Sequence, residues 1–172
     1  MGISAIGPVM QIAFVPDDFD AALAHWTQVM GVGPFFLIEN IKLPDSLYLG
    51  EPNECVFSIA LAYWGDVQVE LIRQENDAAS IYRGAQGKGL HHTCVLTNDI
   101  AAARATAEDA GASVLVEGRV DPDGAVLYVD TIGGPGSIVE ILQPATGTEG
   151  LFAMMKAASQ DWDGSDPVRK LG

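Results

Sequence analysis

Four polar residues stand inside apolar stretches of this sequence, and their side chains are of the kinds that bind a divalent cation. They are one carboxamide, one imidazole and two carboxylates, namely Gln11, His92, Glu70 and Glu140. An unpaired carboxylate in an apolar cleft costs on the order of several kcal/mol or acquires a strongly raised pKa. One nitrogen and three oxygen donors together suit one divalent metal ion per chain, such as Zn, Ni, Co, Mn or Mg.

Taken singly, each of these residues has a simpler explanation. Glu70 and Glu140 could lie on a solvated sheet face, since antiparallel sheets often have one. Gln11 and His92 could each be an ordinary hydrogen-bonded residue. The hypothesis of a shared site therefore depends on whether the fold brings all four side chains together.

The chain repeats one order of elements twice, and the four residues occupy matching places in the two copies. Gln11 and His92 each lie seven residues before an aspartate that can cap a helix, Asp18 and Asp99. Each predicted helix ends at a glycine, and each copy closes with an apolar strand that carries one of the two glutamates. Each half reads βαβββ, so we predict an α+β fold in which two modules curl their sheets around a shared cleft.

Strand periodicity predicts the face on which each candidate ligand lies. Side chains alternate between the two faces of a strand, so Gln11, Glu70, His92 and Glu140 all lie opposite the apolar neighbours that can pack on the helices. The four side chains are therefore expected to meet in a metal-binding cleft. The same count assigns His91 to the opposite face, away from the predicted ligands.

The predicted elements divide the chain into four parts: a first module over 6–75, a linker over 76–89, a second module over 90–145, and a C-terminal helix and tail over 146–172. Residues 44–54 are predicted to form a loop, because they are rich in Pro, Asp, Gly and Asn. Residues 164–172 are predicted to form a polar arm. The isolated cysteines Cys55 and Cys94 lack the spacing of a metal site and are interpreted as reduced thiols.

Several local strings resemble the vicinal oxygen chelate superfamily, which includes glyoxalase I and methylmalonyl-CoA epimerase. The resemblance covers residues 6–145. The strings that carry it are Gln11-Ile-Ala-Phe-Val-Pro-Asp-Asp18-Phe-Asp-Ala-Ala22, Val67-Gln-Val-Glu70-Leu, Gly89-Leu-His-His92-Thr-Cys and Val139-Glu140-Ile-Leu. The positions at which this family holds its metal correspond here to Gln11, Glu70, His92 and Glu140.

The resemblance implies a metal-dependent lyase or isomerase that acts on a small-molecule carbonyl substrate. In such enzymes the metal polarises the substrate oxygens and stabilises an enediolate or enolate, while a carboxylate moves the proton. Glu140 is the predicted base and Glu70 the second acid/base.

The alternative function is a binding or sequestering protein, as in bleomycin-resistance-like members. An extradiol dioxygenase is disfavoured, because that branch uses two histidines and one carboxylate on iron, whereas Gln11 replaces the first histidine here.

Weaker candidates accompany the four ligands. Cys94 lies on the same strand face as His92, and three aromatic residues are further candidates for the pocket lining: Phe36, Trp64 and Tyr128. Glu39 lies in the second strand, where the resemblance to the epimerase implies another carboxylate.

Charge and composition limit the partners of the chain. It carries 23 acidic and 9 basic side chains, for a net charge of −14, which repels nucleic acid and anionic membranes. The scarcity of basic residues favours a small or apolar substrate over an adduct of glutathione or coenzyme A. No apolar run has the length needed to span a bilayer, so a cytoplasmic location is expected. A homodimer is expected from the resemblance, and because Leu151 and Met155 of the C-terminal helix need a surface to cover them.

Overall fold

The structure is a computed structural model that describes residues 2–84 and 87–171 of the chain. Residues 85–86 of the predicted linker and residue 172 of the predicted tail lie outside the described residues. Within the described ranges one sheet of eleven strands carries three α-helices, which agrees with the predicted α+β class. None of the described helices is both long and apolar enough to cross a bilayer.

The strands, in chain order, are β1 (Val9–Val15), β2 (Phe35–Ile41), β3 (Leu47–Tyr48), β4 (Glu51–Pro52), β5 (Phe57–Trp64), β6 (Val67–Gln74), β7 (Gly89–Leu96), β8 (Ser113–Val120), β9 (Gly124–Asp130), β10 (Ile138–Gln143) and β11 (Val168–Leu171). The α-helices are α1 (Phe19–Ala24), α2 (Ile100–Asp109) and α3 (Thr148–Ser159). A short 3₁₀ helix at Ile3–Ala5 precedes β1, and a π-helical turn at His25–Val29 follows α1.

The two halves of the chain meet at the centre of the sheet. The strand order is β11-β2-β5-β6-β1-β7-β10-β9-β8-β3-β4, with β1 and β7 antiparallel to each other. In each half the first strand also pairs in parallel with the last strand, β1 with β6 and β7 with β10. This arrangement places the two strands that carry the glutamates on either side of the two strands that carry Gln11 and His92.

Matching caps begin the first helix of each half. The carboxylate of Asp18 accepts a hydrogen bond at 2.9 Å from the amide of the third residue after it, and Asp99 does the same at 2.9 Å. Each aspartate thereby satisfies a free N–H of the first helical turn. The helical segments are followed by Gly31 and Gly111, whose positive φ angles of 65° and 87° suit glycine. The predicted repeat of an N-capping aspartate and a glycine after the helix is therefore present in both halves.

One difference lies within the first helix. The spacing of apolar residues predicts one helical run up to Gly31, but the α-helical part ends at Ala24. Beyond it the amide of Met30 donates to the carbonyl of His25 at 3.1 Å, five residues back, which is the bond of a π turn.

The helices α1 and α2 cover one face of the sheet, here called the outer face. Phe19 of α1 packs in the cluster that contains Val69 and Leu71 of β6. Ala107 of α2 packs in the cluster that contains Ile141 of β10. The opposite, inner face carries the remaining strand side chains, and those of both halves share one apolar cluster. The sheet is therefore curled around the inner face.

The segment predicted as a loop over 44–54 contains a small hairpin. Its strands β3 and β4 pair with each other, and β3 pairs with β8 of the second half, so that Tyr48 lies opposite Val116. The turn between β3 and β4 is formed by Leu49 and Gly50, both with positive φ. Strands of two residues are too short to produce a periodic pattern, so the composition of the segment indicated only a loop.

The C-terminal helix α3 packs on the inner face of the first half. Met155 is completely buried in a cluster with Phe36 and Leu61, and Leu151 packs against the same cluster. The apolar face of α3 is thus covered within the chain. It gives no reason to expect a dimer, and the homodimer remains a prediction that rests on the resemblance.

The prediction of a polar arm over residues 164–172 was wrong, because residues 168–171 form strand β11. This strand pairs in parallel with β2, so that Val168 lies opposite Phe35, and Lys170 forms an ion pair with Glu39 at 2.7 Å. The pairing depends on backbone groups at the edge of β2, and the polar composition of the segment carries no sign of it.

Candidate metal centre

The register of the central strands brings Glu70 and His92 to either side of one small residue. Ala13 of β1 is paired with Glu70 of β6 on one side and with His92 of β7 on the other. Ala13 is completely buried, and its methyl group leaves the space above it to the two longer side chains. Glu140 of β10 lies opposite Cys94, two residues beyond His92.

Three of the four predicted ligands converge on one point. The ligand atoms of Glu70, His92 and Glu140 all lie within 4.8 Å of one another, and all three residues are buried. Nε2 of His92 lies 2.9 Å from Oε2 of Glu140 and 3.4 Å from Oε2 of Glu70. The shorter contact is a hydrogen bond and the longer one a charge contact. Two carboxylates around one imidazole nitrogen form a group that can hold a divalent cation.

Gln11, the fourth predicted ligand, is buried on the same inner face, and its carboxamide has a defined orientation. Its Nε2 donates a hydrogen bond to Oε1 of Gln68 at 2.7 Å, and Nε2 of Gln68 donates to the hydroxyl of Tyr63 at 3.3 Å. Because Nε2 is used in this way, Oε1 of Gln11 is the atom left for a ligand.

Two oxygens of these predicted ligands lack hydrogen-bond partners. Within the described part of the chain, Oε1 of Gln11 and Oε2 of Glu70 are buried without a hydrogen bond. An unsatisfied buried acceptor costs about 1–3 kcal/mol, and a bound cation would satisfy both. The donor set, one imidazole nitrogen with carboxylate and carboxamide oxygens, therefore fits a divalent metal.

The charges of the group explain its protonation. Burial disfavours the imidazolium form of His92, but the hydrogen bond to Glu140 and the nearby Glu70 outweigh this and raise the pKa of His92 to about 9. Burial raises the pKa of Glu70, and the negative charge of Glu140 acts in the same direction. Without a metal, the proton on His92 thus supplies the positive charge that the two carboxylates require.

His91 does not lie on the face that was predicted for it. The pairing of β7 with β1 shifts register between Ala13 and Phe14, so that His91 is an extra residue in β7. This β-bulge interrupts the alternation of faces. The ring of His91 therefore lies beside that of His92, with their Nδ1 atoms 2.8 Å apart. Burial and the charge of His92 lower the pKa of His91 to about 4, so its imidazole is neutral.

Of the other predicted pocket residues, two lie beside the candidate centre and two lie away from it. The ring of Tyr128 packs edge-on against His92, with centroids 5.2 Å apart. Cys94 is buried, and burial together with the charges of Glu140 and Glu70 raises the pKa of its thiol. By contrast, Phe36 packs beneath α3, and Trp64 is 54% exposed and packs against Trp26.

Glu39 is not part of the group. Its side chain is exposed at the end of β2 and is ion-paired with Lys170. The further carboxylate implied by the resemblance is therefore not brought to the candidate centre.

A narrow cavity adjoins the rings beside the candidate centre. It has a volume of about 20 Å³, and Phe57, Tyr82 and Tyr128 are among its lining residues, none of which is charged. Such a volume holds little more than one water molecule. A larger cavity of about 470 Å³ lies elsewhere, where Arg104 of α2 and Arg119 of β8 are both engaged in ion pairs.

Three residues around the candidate centre were not predicted from the sequence. Gln68 precedes Glu70 by two residues, so strand periodicity does place it on the same face. His91 was assigned to the wrong face. Tyr82, whose ring packs on His91 at 5.3 Å, follows β6 in a segment without periodicity, and no sequence signal indicates it.

Comparison with known families assigns the chain to a superfamily. Residues 10–129 match the model of the Glyoxalase/Bleomycin resistance protein/Dioxygenase superfamily. Because the match covers more than half of the chain, the chain belongs to this superfamily. The predicted family and the predicted fold class are thus confirmed. A search of curated protein sequences finds no significant match.

Solved structures of similar fold include methylmalonyl-CoA epimerases. A methylmalonyl-CoA epimerase variant from Streptomyces coelicolor, in complex with 2-nitronate-propionyl-CoA, has a TM-score of 0.56 at 17% identity, over 82% of this chain and 96% of that chain. The epimerase from Mycobacterium tuberculosis has a TM-score of 0.55 at 12% identity, over 87% and 96%. A hypothetical protein from Bacillus halodurans C-125 has a TM-score of 0.54 at 12% identity, over 80% and 94%. At these identities the similarity shows a shared fold.

Proposed function

We propose that this chain is a metal-dependent enzyme that transfers a proton at the carbon next to a carbonyl group, as a lyase or an isomerase does. The observation that carries the proposal is the convergence of Glu70, His92 and Glu140, whose ligand atoms lie within 4.8 Å of one another in a buried group. Membership in a superfamily that includes glyoxalases, together with the fold shared with epimerases, supports the same reaction class.

Four residues would hold the metal: Gln11 through Oε1, His92 through Nε2, and Glu70 and Glu140 through carboxylate oxygens. When bound, a divalent ion such as Zn, Ni, Co, Mn or Mg supplies a Lewis acid that polarises a carbonyl oxygen and makes the adjacent C–H more acidic. Burial of all four residues keeps water from competing for the ligand atoms. The alanine at position 13 leaves the space that Glu70 and His92 occupy.

The two carboxylates are the candidate proton carriers. Glu140, which lies 2.9 Å from Nε2 of His92, is the proposed base that takes the proton from the substrate carbon. Glu70 is the proposed second acid/base. Burial raises the pKa of Glu70, which makes this carboxyl group a better proton acceptor than an exposed glutamate.

The surroundings favour an uncharged or apolar carbonyl substrate. The cavity beside the candidate centre has no charged lining residue, and three of its walls are the rings of Phe57, Tyr82 and Tyr128. A substrate larger than a water molecule would have to displace part of this wall, because the cavity measures only about 20 Å³. An adduct of coenzyme A or glutathione is the second option, because one solved structure that shares the fold is a methylmalonyl-CoA epimerase in complex with methylmalonyl-CoA.

The test begins with bound metal. Protein exchanged in turn with Ni, Co, Zn, Mn and Mg would be examined by elemental analysis, beside a His92→Ala variant. We expect about one ion per chain in the wild type, and loss of that ion in the variant. The metal-loaded protein would then be incubated with enolisable aldehydes, ketones and thioesters in deuterated water.

Each outcome of this test has a defined meaning. Incorporation of deuterium at the carbon next to the carbonyl would support the proposed reaction. Tight metal binding without exchange, together with retention of a small molecule, would favour the sequestering alternative. If Fe(II) is added to the exchange series, iron as the strongly preferred metal together with consumption of oxygen would favour the dioxygenase. Absence of tight metal binding in every exchange would overturn the proposal.

A further inference from the structure

The bulge in β7 gives the candidate metal centre a second histidine that is not among its predicted ligands. His91 and His92 lie on the same inner face, and both are buried, with exposed fractions of 1% and 0%. Their rings are perpendicular to each other, with centroids 5.1 Å apart. His91 touches the imidazole of His92 on the edge that faces away from Glu70 and Glu140, so it acts on His92 rather than on the metal position.

The direction of the hydrogen bonds around His91 follows from a backbone carbonyl. Nε2 of His91 lies 2.9 Å from the oxygen of Ile81, and a carbonyl oxygen can only accept. A singly protonated His91 therefore holds its proton on Nε2, and its Nδ1 is an acceptor. Since the Nδ1 atoms of the two histidines are 2.8 Å apart, His92 must be the donor in this contact.

We propose that His91 is a positioning residue that holds the proton of the His92 imidazole on Nδ1, so that the lone pair on Nε2 is directed at the metal position between Glu70 and Glu140. A metal ligand of this kind needs a partner for its other ring nitrogen, which fixes both the tautomer and the ring orientation. The inference rests on the proposed metal site. It adds the group that makes Nε2, rather than Nδ1, the ligand atom.

The surrounding rings leave His92 little freedom to find another partner. Tyr128 packs edge-on against His92 at 5.2 Å, and Tyr82 packs against His91 at 5.3 Å. If position 91 could not accept a hydrogen bond, the Nδ1–H of the neutral, metal-binding form of His92 would be buried without a partner, or that proton would move to Nε2. Either result weakens metal binding, the first by destabilising the ligand-competent form and the second by occupying the ligand atom.

Nitrogen-15 NMR of the histidine rings tests the proposal directly, and the chain has only three histidines to assign. In metal-free protein we expect His91 to carry its proton on Nε2 and none on Nδ1. In zinc-loaded protein we expect His92 to carry its proton on Nδ1, with Nε2 shifted by coordination. A proton on Nδ1 of His91 in the metal-free protein, or coordination through Nδ1 of His92, would overturn the proposal.

Variants at position 91 separate positioning from simple packing. His91→Leu should lower zinc affinity by about 10- to 100-fold. His91→Asn, whose side-chain oxygen can accept near the place of Nδ1, should recover most of that loss. His25→Leu is the matched control, because His25 is exposed on the turn after α1 and should leave the affinity unchanged.

The outcomes distinguish this inference from the proposed function. If the metal-free spectrum is as expected but no metal binds to the wild type, the proposed function fails. The assigned direction of the hydrogen bonds between Ile81, His91 and His92 would still stand. If metal binds and His91→Leu keeps full affinity, the positioning role is wrong while the metal site stands. Equal loss of affinity in the Leu and Asn variants would reduce His91 to a packing residue and overturn the proposal.

Discussion

The side-chain nitrogen of Gln11 donates a hydrogen bond to Oε1 of Gln68 at 2.7 Å, and this one bond decides which end of the Gln11 carboxamide is free. The nitrogen would repel a cation, whereas the oxygen can bind one. Gln68 is itself held, since its nitrogen donates to the hydroxyl of Tyr63 at 3.3 Å. Gln11 and His92, the proposed neutral ligands of the two modules, thus each contact one neighbouring polar residue that can orient them.

Replacing Gln68 should weaken metal binding without removing a ligand. In Gln68→Leu the carboxamide of Gln11 loses the acceptor for its nitrogen and can rotate, so we expect metal affinity to fall by about 10- to 100-fold. Competition with a chromophoric chelator measures this. Gln143→Leu is the matched control, because Gln143 accepts from the amide of Ile100 and is not part of the candidate centre. Equal affinity in wild type and Gln68→Leu would show that Gln11 is not oriented by this bond, or is not a ligand.

Replacing Glu140 should separate metal binding from proton transfer. Glu140→Gln keeps an oxygen that can bind the metal but removes the basic carboxylate, so turnover should fall by about 100-fold or more while some metal is retained. Deuterium exchange into a substrate that the wild type accepts measures turnover, and elemental analysis measures the metal. Glu149→Gln, at an exposed residue of α3, should behave as wild type. Undiminished exchange in Glu140→Gln would remove Glu140 from the role of base.

Metal binding should release protons and should strengthen as the pH rises. Below its pKa of about 9, His92 carries a proton that a metal ion must replace. We therefore expect release of about one proton per ion near neutral pH, and an affinity that increases with pH until His92 is neutral. Calorimetric titrations in two buffers with different ionisation enthalpies measure the number released. Binding without proton release would mean that His92 is not the ligand.

The helix α3 should contribute strongly to stability through one side chain. Met155 is completely buried, whereas the adjacent Met154 is 42% exposed. Met155→Ala should therefore lower the free energy of unfolding by about 2–5 kcal/mol. Met154→Ala should change it by less than about 0.5 kcal/mol. Denaturant unfolding monitored by circular dichroism compares the two variants, and similar values would contradict the burial of α3 against the sheet.

Much of the fold was predictable because its signals are periodic or local. The apolar alternation in the sequence predicts strands at the places of β1 and β6. The helix caps at Asp18 and Asp99 were predictable because an aspartate precedes each helix. The placement of Glu70, His92 and Glu140 on one inner face needed only the period of two. That these three residues meet depended on the parallel pairing of β1 with β6 and of β7 with β10, which the repeat suggested but could not specify.

The errors have physical causes that a single sequence does not display. The bulge at His91 is a one-residue irregularity, and a count of alternating positions continues through it unchanged. Strand β11 forms because it pairs with the edge of β2, and its own sequence has no alternation that would predict a strand. Tyr82 reaches His91 from a segment that has no regular structure, so only the folded chain brings the two rings together.

The hairpin of β3 and β4 has a consequence for how the halves stay together. It leaves the first half and bonds to β8, so the halves are joined at the central pair of β1 and β7 and again at the far edge of the sheet. An internal repeat invites domain swapping, in which two chains exchange their halves. Here such an exchange would have to open both connections before they could form again between two chains, so the hairpin adds a barrier to the exchange of halves.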